Sequence, residues 1–114
     1  MIKTEFGIIY DFNPEKEYSD YEPEKYNCVS IDDEYINDWW EQLLRIPTYN
    51  MSIKQPQNAL SRWGVTLIPP ESLPLLLQVV ESDPRIQKDG MLAALAEQIR
   101  KAMIEHKYMI HFGI

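Results

Sequence analysis

The chain has 114 residues, 45% of them hydrophobic and 25% charged, with a formal net charge of −7 at pH 7. That length fits one domain with a single core, and the acidic balance argues against a broad surface for nucleic acid or anionic membranes. The only cysteine, Cys28, has no partner for an internal disulfide, which fits a reducing, cytoplasmic compartment.

In chain order, residues 2–12 place Phe6, Ile8 and Tyr10 on one face and Ile9 on the other, the period of a strand. Residues 13–25 form a polar loop containing prolines, and residues 26–31 a second short strand. Asp32 then suits a helix cap, with Asp33 and Glu34 in the first turn, where the helix dipole favours anions. Ile36, Trp40, Leu43 and Leu44 follow at i, i+4, i+7 and i+8, an apolar stripe widened by Tyr35 and Trp39 that predicts a helix to about Ile46, before Pro47. Residues 47–62 carry prolines and amides and read as irregular. Residues 63–68 predict a third strand, stopped by Pro69 and Pro70. A short apolar helix over 73–81 follows, with Ser72 as its cap. Asp89 caps a longer helix over 90–107, whose buried stripe is Leu92, Leu95, Ala96, Ile99 and Met103. Residues 108–114 close the chain as a strand.

The resulting order, β-β-α-β-α-α-β, predicts a single α+β domain over residues 1–114. Its expected form is a four-stranded mixed sheet with three helices mainly on one face and the two terminal strands near the centre. No positively charged start precedes an apolar run, so no signal peptide is read. The longest apolar stretch, residues 73–80, is far short of the ~20 residues that span a bilayer.

Charge is distributed unevenly. Residues 1–41 hold twelve of the eighteen acids and only Lys3, Lys16 and Lys25, a balance of −9, while residues 42–114 carry +2. The densest stretch, residues 11–24, interleaves Asp11, Glu15, Glu17, Asp20, Glu22 and Glu24 with Tyr18 and Tyr21. A solubilising loop has no need of aromatic residues. A docking surface uses both, since carboxylates steer encounter with a basic partner and tyrosines supply contact area. Trp39, beside Asp38 and Glu41 at the edge of the apolar face of the first helix, is either the anchor of such a surface or partly buried under residues 47–62.

Catalysis and metal binding have weaker support. Residues 11–24 contain no glycine and no Asp-x-Asp-x-Asp alternation, so they make no standard calcium loop. Asp32, Asp33 and Glu34 are explained by helix capping. His106 and His111, five residues apart across a helix–strand junction, match no metal-ligand spacing. Cys28, among apolar neighbours, reads as a small core hydrophobe rather than a nucleophile. The four glycines are isolated, so no phosphate-cradling loop is formed. The expectation is a chain with no catalytic residues, no metal and no cofactor.

The size, the acidic tyrosine-containing segment 11–26 and the α+β pattern ending in residues 108–114 together resemble the small acidic cytoplasmic immunity proteins of bacterial toxin systems. The resemblance is one of type, and no residue role carries over by position. It implies tight inhibition of a secreted toxin domain, often a basic nuclease, by blocking its active site or a nearby surface. The expected function is thus a non-enzymatic inhibitor that docks a basic protein through Asp11, Glu15, Glu17, Tyr18, Asp20, Tyr21, Glu22, Glu24 and Trp39. The alternative is a small self-associating structural or regulatory protein, a homodimer built on the apolar segment 73–80 and the sheet edges.

Overall fold

The computed structural model describes residues 2–113. Strands β1 (Lys3–Ile9) and β2 (Val29–Asp32) precede helix α1 (Glu34–Leu43). Three strands follow: β3 (Pro47–Asn50), β4 (Pro56–Asn58) and β5 (Val65–Ile68). Helices α2 (Leu73–Ser82) and α3 (Gly90–Glu105) lead to β6 (Tyr108–Phe112). Short 3-10 turns occupy Pro23–Tyr26, Pro70–Ser72 and Pro84–Gln87.

The fold is α+β with a six-stranded sheet in the order β2-β1-β6-β5-β3-β4. Every pairing is antiparallel. This corrects the expected four-stranded mixed sheet and its element order. The two extra strands come from the stretch read as irregular. β3 and β4 show no apolar alternation and each begins with proline, so local pattern does not mark them. They form because β5 supplies a template: Tyr49 pairs with Leu67 and Asn50 with Thr66. A turn at Met51, with φ 64°, then folds the chain back so that Thr48 pairs with Gln57. Pro56 is tolerated because β4 is the sheet edge, where a missing N–H breaks no ladder. The terminal strands are both interior and pair with each other, Gly7 opposite Ile110.

Strand residues alternate between two cores. On one face Phe6, Ile8, Ile31, Ile68 and Met109 meet all three helices, through Ile36, Trp39 and Leu43 of α1, Leu76 and Val80 of α2, and Leu92, Leu95 and Ile99 of α3. On the other face Ile9, Val65, Leu67, Ile110 and Phe112 form a second, smaller core with Tyr18. The apolar segment 73–80 is mostly absorbed by the first core, with Leu73, Leu76, Val79 and Val80 buried and only Leu75 among its leucines exposed.

The α1 stripe is rotated by one residue from expectation. Tyr35, Ile36, Trp39 and Leu43 are buried, Trp40 is half-buried and Leu44 is exposed. The cause is the connection between α2 and α3, which lies against the Tyr35–Trp39 side. Trp39 Nε1 donates to Asp83 Oδ2 at 2.9 Å, and the Tyr35 hydroxyl donates to Asp89 Oδ2 at 2.6 Å. Asp89 also caps α3 by accepting from Met91 N at 2.9 Å. Ser72 does not cap α2; its hydroxyl donates to the Pro47 carbonyl at 2.6 Å. Among the described residues, no helix is long and apolar enough to cross a membrane.

Candidate partner-docking face

The acidic loop lies on the sheet face that the helices leave open. Four aromatic side chains hold it there. Phe12 stacks on Tyr108 with ring centroids 3.8 Å apart and on Tyr18 at 5.6 Å. Tyr18 N donates to the Met51 carbonyl at 2.7 Å, and the Tyr18 hydroxyl accepts from Asn13 N at 2.9 Å. Tyr21 meets Phe112 edge-on at 5.4 Å, and Tyr26 lies 6.0 Å from the same ring. Gly7 makes room for this arrangement, since a Cβ there would collide with Tyr26 and Cys28. The chain from Phe12 to Tyr26 is therefore packed as the lid of a core rather than solvated on both sides.

This placement divides the predicted docking residues. Asp11, Glu15, Glu17, Asp20 and Glu24 are exposed, and Glu22 is half-buried. Two of these acids have local partners: Glu22 pairs with Lys25 at 3.0 Å and Glu15 with Lys54 at 3.8 Å. Asp11, Glu17, Asp20 and Glu24 have no ion-pair partner among the described residues, which leaves an outward field of negative charge. Tyr21 is 65% exposed. Its hydroxyl donates to Glu5 Oε1, a bond to an anion that, with burial, pushes the phenol up to about 12.

Two of the predicted contact residues are buried. Tyr18 is only 5% exposed and belongs to the second core. Trp39, the expected anchor, is 2% exposed and sits in the helix-side core, across the sheet from the loop. Both have their polar atoms satisfied inside the protein, as buried tyrosine and tryptophan require.

The exposed tryptophan is Trp63, at 73%. It stands on a strap, residues 61–64, that is fixed at several points. Arg62 Nη2 pairs with Asp33 Oδ2 at 2.6 Å, and Arg62 Nη1 donates to Asn37 Oδ1. Gly113 N donates to the Gly64 carbonyl at 2.9 Å, and Ser61 N to Thr66 Oγ1 at 2.8 Å. Gly64 adopts φ +88°, a left-handed conformation that favours glycine. Trp63 and Gly64, expected as the start of the third strand, instead belong to this turn, and β5 begins at Val65; the Arg-Trp-Gly step is the sequence signal for it.

Between strap and loop lies a groove of about 500 Å³. Ile2, Glu5, Tyr21, Val65, Phe112 and Gly113 are among its lining residues. Its lining is mixed: the Glu5 carboxylate, the Lys3 ammonium and the Ser19 and Tyr21 hydroxyls stand among the apolar groups.

The residues considered for catalysis are not gathered into a reactive group. Burial pushes the Cys28 thiol up to about 12, so it remains protonated and unreactive near neutral pH. His111 is fully buried on the helix face, against Phe6 at 4.7 Å. The Thr4 hydroxyl donates to the Phe112 carbonyl at 2.9 Å, so the contact between Thr4 Oγ1 and His111 Nε2 requires the proton on Nε2. Burial, aided by the charge of Arg62, lowers this imidazole to about 3 and keeps it neutral. His106 is exposed and ends α3 in a left-handed conformation, φ 54°. Among the described residues, no group of three or more His, Cys, Asp and Glu side chains is placed to hold a metal ion. No protein-family model, no curated protein and no solved structure matches this chain.

Proposed function

We propose that this chain is a non-catalytic binding protein of the cytoplasm that docks a basic protein through the acidic loop face. The observation that carries the reading is the packing of the loop: Phe12, Tyr18 and Tyr26 are spent on the second core, and the carboxylates of Asp11, Glu17, Asp20 and Glu24 face solvent. A merely solubilising loop gains nothing from being ordered. A docking loop gains affinity, because side chains and backbone already fixed lose less entropy on association. The unpaired acids accelerate encounter with a positively charged partner and make it dependent on ionic strength. Trp63 at the edge of the same region supplies the large aromatic surface expected of an interface anchor, the role that buried Trp39 does not fill.

Inhibition of a basic toxin domain, as in the immunity proteins the sequence resembles, is the specific form of this function that we favour. It is tested by co-expressing the tagged chain with the products of the reading frames beside it in its source genome. A stoichiometric complex with a basic protein, together with loss of that protein's toxicity, supports the proposal. Recovery of the chain alone in every pairing, with toxicity unrelieved, contradicts the inhibitory role.

A further inference from the structure

The groove beside the acidic loop has a composition that suits one kind of occupant. Its exposed apolar surface is Ile2, at 58%, and the ring of Tyr21, lying over Val65 and Phe112, which are themselves buried in the second core. Its one negative charge is the Glu5 carboxylate, held on β1 between Ser30 of β2 and Phe112 of β6. Tyr21 occupies Oε1 of that carboxylate, and Oε2 has no hydrogen-bond partner among the described residues. A side chain with an aliphatic stem and a cationic head matches this arrangement, the stem against Ile2 and the head on Glu5 beside the exposed Tyr21 ring. A planar guanidinium suits it better than an ammonium, because it stacks on rings while donating to a carboxylate. Lys3, at the rim, forms no ion pair with Glu5 among the described residues, and its charge is felt at Asp89.

The walls are also preset. Gly113 lies so close to the carbonyls of Ser61 and Arg62 that no side chain fits there, and the strap's ties to α1 and β5 hold Gly64 in place. We propose that this groove is the specificity pocket of the docking face and receives an arginine side chain of the basic protein partner, its guanidinium on Glu5. The proposal rests on the acidic-face reading and adds the residue that fixes register, where the loop carboxylates supply only a field.

The test is a titration of the isotopically labelled chain, followed by amide NMR signals, with the peptide acetyl-Gly-Arg-Gly-amide. The same peptide carrying norleucine in place of arginine is the control. Saturable shifts at Glu5, Ser19, Gly64 and Gly113, absent with norleucine and weakened about tenfold in E5Q, are expected. K3Q, which removes a like charge from the rim, is expected to tighten the arginine peptide. Shifts confined to residues 11–24, an equal response to norleucine, or an unchanged response in E5Q would overturn the assignment. The experiment needs no protein partner, so its result is separate from that of the docking function. An occupied groove in a chain that captures no basic protein would leave the pocket standing and defeat the acidic-face reading. A basic protein bound through the loop but indifferent to E5Q would do the reverse.

Discussion

The indole N–H of Trp39 donates to Asp83 Oδ2 at 2.9 Å, a bond that fixes α1 against the segment joining α2 to α3. Asp83 also accepts from Arg85 N at 2.9 Å, and its Oδ2 receives Arg85 Nη2 at 2.6 Å. The Arg85 guanidinium in turn lies 4.4 Å from the Tyr35 ring centroid. Trp39 is thus one member of a network that closes the helical layer, on the opposite side of the sheet from the acidic loop. Replacing it by phenylalanine removes a buried donor and some volume, and is expected to cost about 1–3 kcal/mol of stability. Urea unfolding measures that loss. Affinity for a partner bound at the acidic face should be unchanged in the folded variant.

Tyr18 gives the complementary prediction. Tyr18→Ala leaves every loop carboxylate in place but removes the ring that stacks on Phe12 and fills the second core. A loss of about 3 kcal/mol is expected, with new proteolytic cuts within residues 11–26. Tyr18→Phe loses only the bond from Asn13 N, a change of about 1 kcal/mol. If preorganisation of the loop matters to docking, Tyr18→Ala binds more weakly at unchanged net charge. Equal affinity in both variants would reduce the loop to a carrier of charge.

Acid should weaken the fold in two steps. His111 ordinarily titrates near 6.5 and is lowered by burial to about 3 in the folded protein. Below 6.5 the unfolded chain takes up a proton that the native state refuses, so stability is complete above that value and falls as pH drops toward 3. The slope attributable to this group is about 1.4 kcal/mol per pH unit. Asp83 is lowered from 3.8 to about 2, chiefly by its bonds from the Arg85 side chain. Its contribution is present above 3.8 and is lost as pH falls through 2. Denaturant midpoints measured from pH 7 to pH 3 should decline in wild type, and H111Q, whose amide can still donate to Thr4, should flatten the upper part of that decline.

The strap makes a sharper steric prediction. Gly113→Ala places a methyl group against the carbonyls of Ser61 and Arg62, so β6 and the strap must separate. A cost of about 1–3 kcal/mol is expected, with altered fluorescence from the nearby Trp63. Gly90→Ala, at a site with open space around it, is the control and should be tolerated.

The helices and the longer strands are legible in the sequence because each carries its own period: Leu92, Leu95, Ala96 and Ile99 mark α3, and Phe6, Ile8 and Ile9 mark β1. β3 and β4 are not legible. Their pairing is dictated by β5 and by the turn at Met51, and Pro47 and Pro56 argue locally against strands. The rotation of α1 was equally hidden, since the residues that select Trp39 over Trp40 are Asp83 and Asp89, more than forty positions away. For the docking face, composition located the acids but not their support. Tyr18 and Tyr21 look alike in sequence, and only the fold separates a ring that anchors the loop from one that faces the groove. Glu5 and Trp63 gave no charge cluster or stripe, and they acquire interest only because the loop and the strap are brought beside β1 and β6.

The central claim is that the loop carboxylates form a docking surface. Its most direct test is capture from source lysate on the immobilised chain at low and at high salt, beside a variant reversing Glu15, Glu17, Asp20 and Glu24 to lysine and shown by circular dichroism to be folded. The account predicts a single basic protein, retained by wild type at low salt, released at high salt and lost from the variant. Retention that is indifferent to salt and to the four reversals, or no specific protein at all, would contradict it.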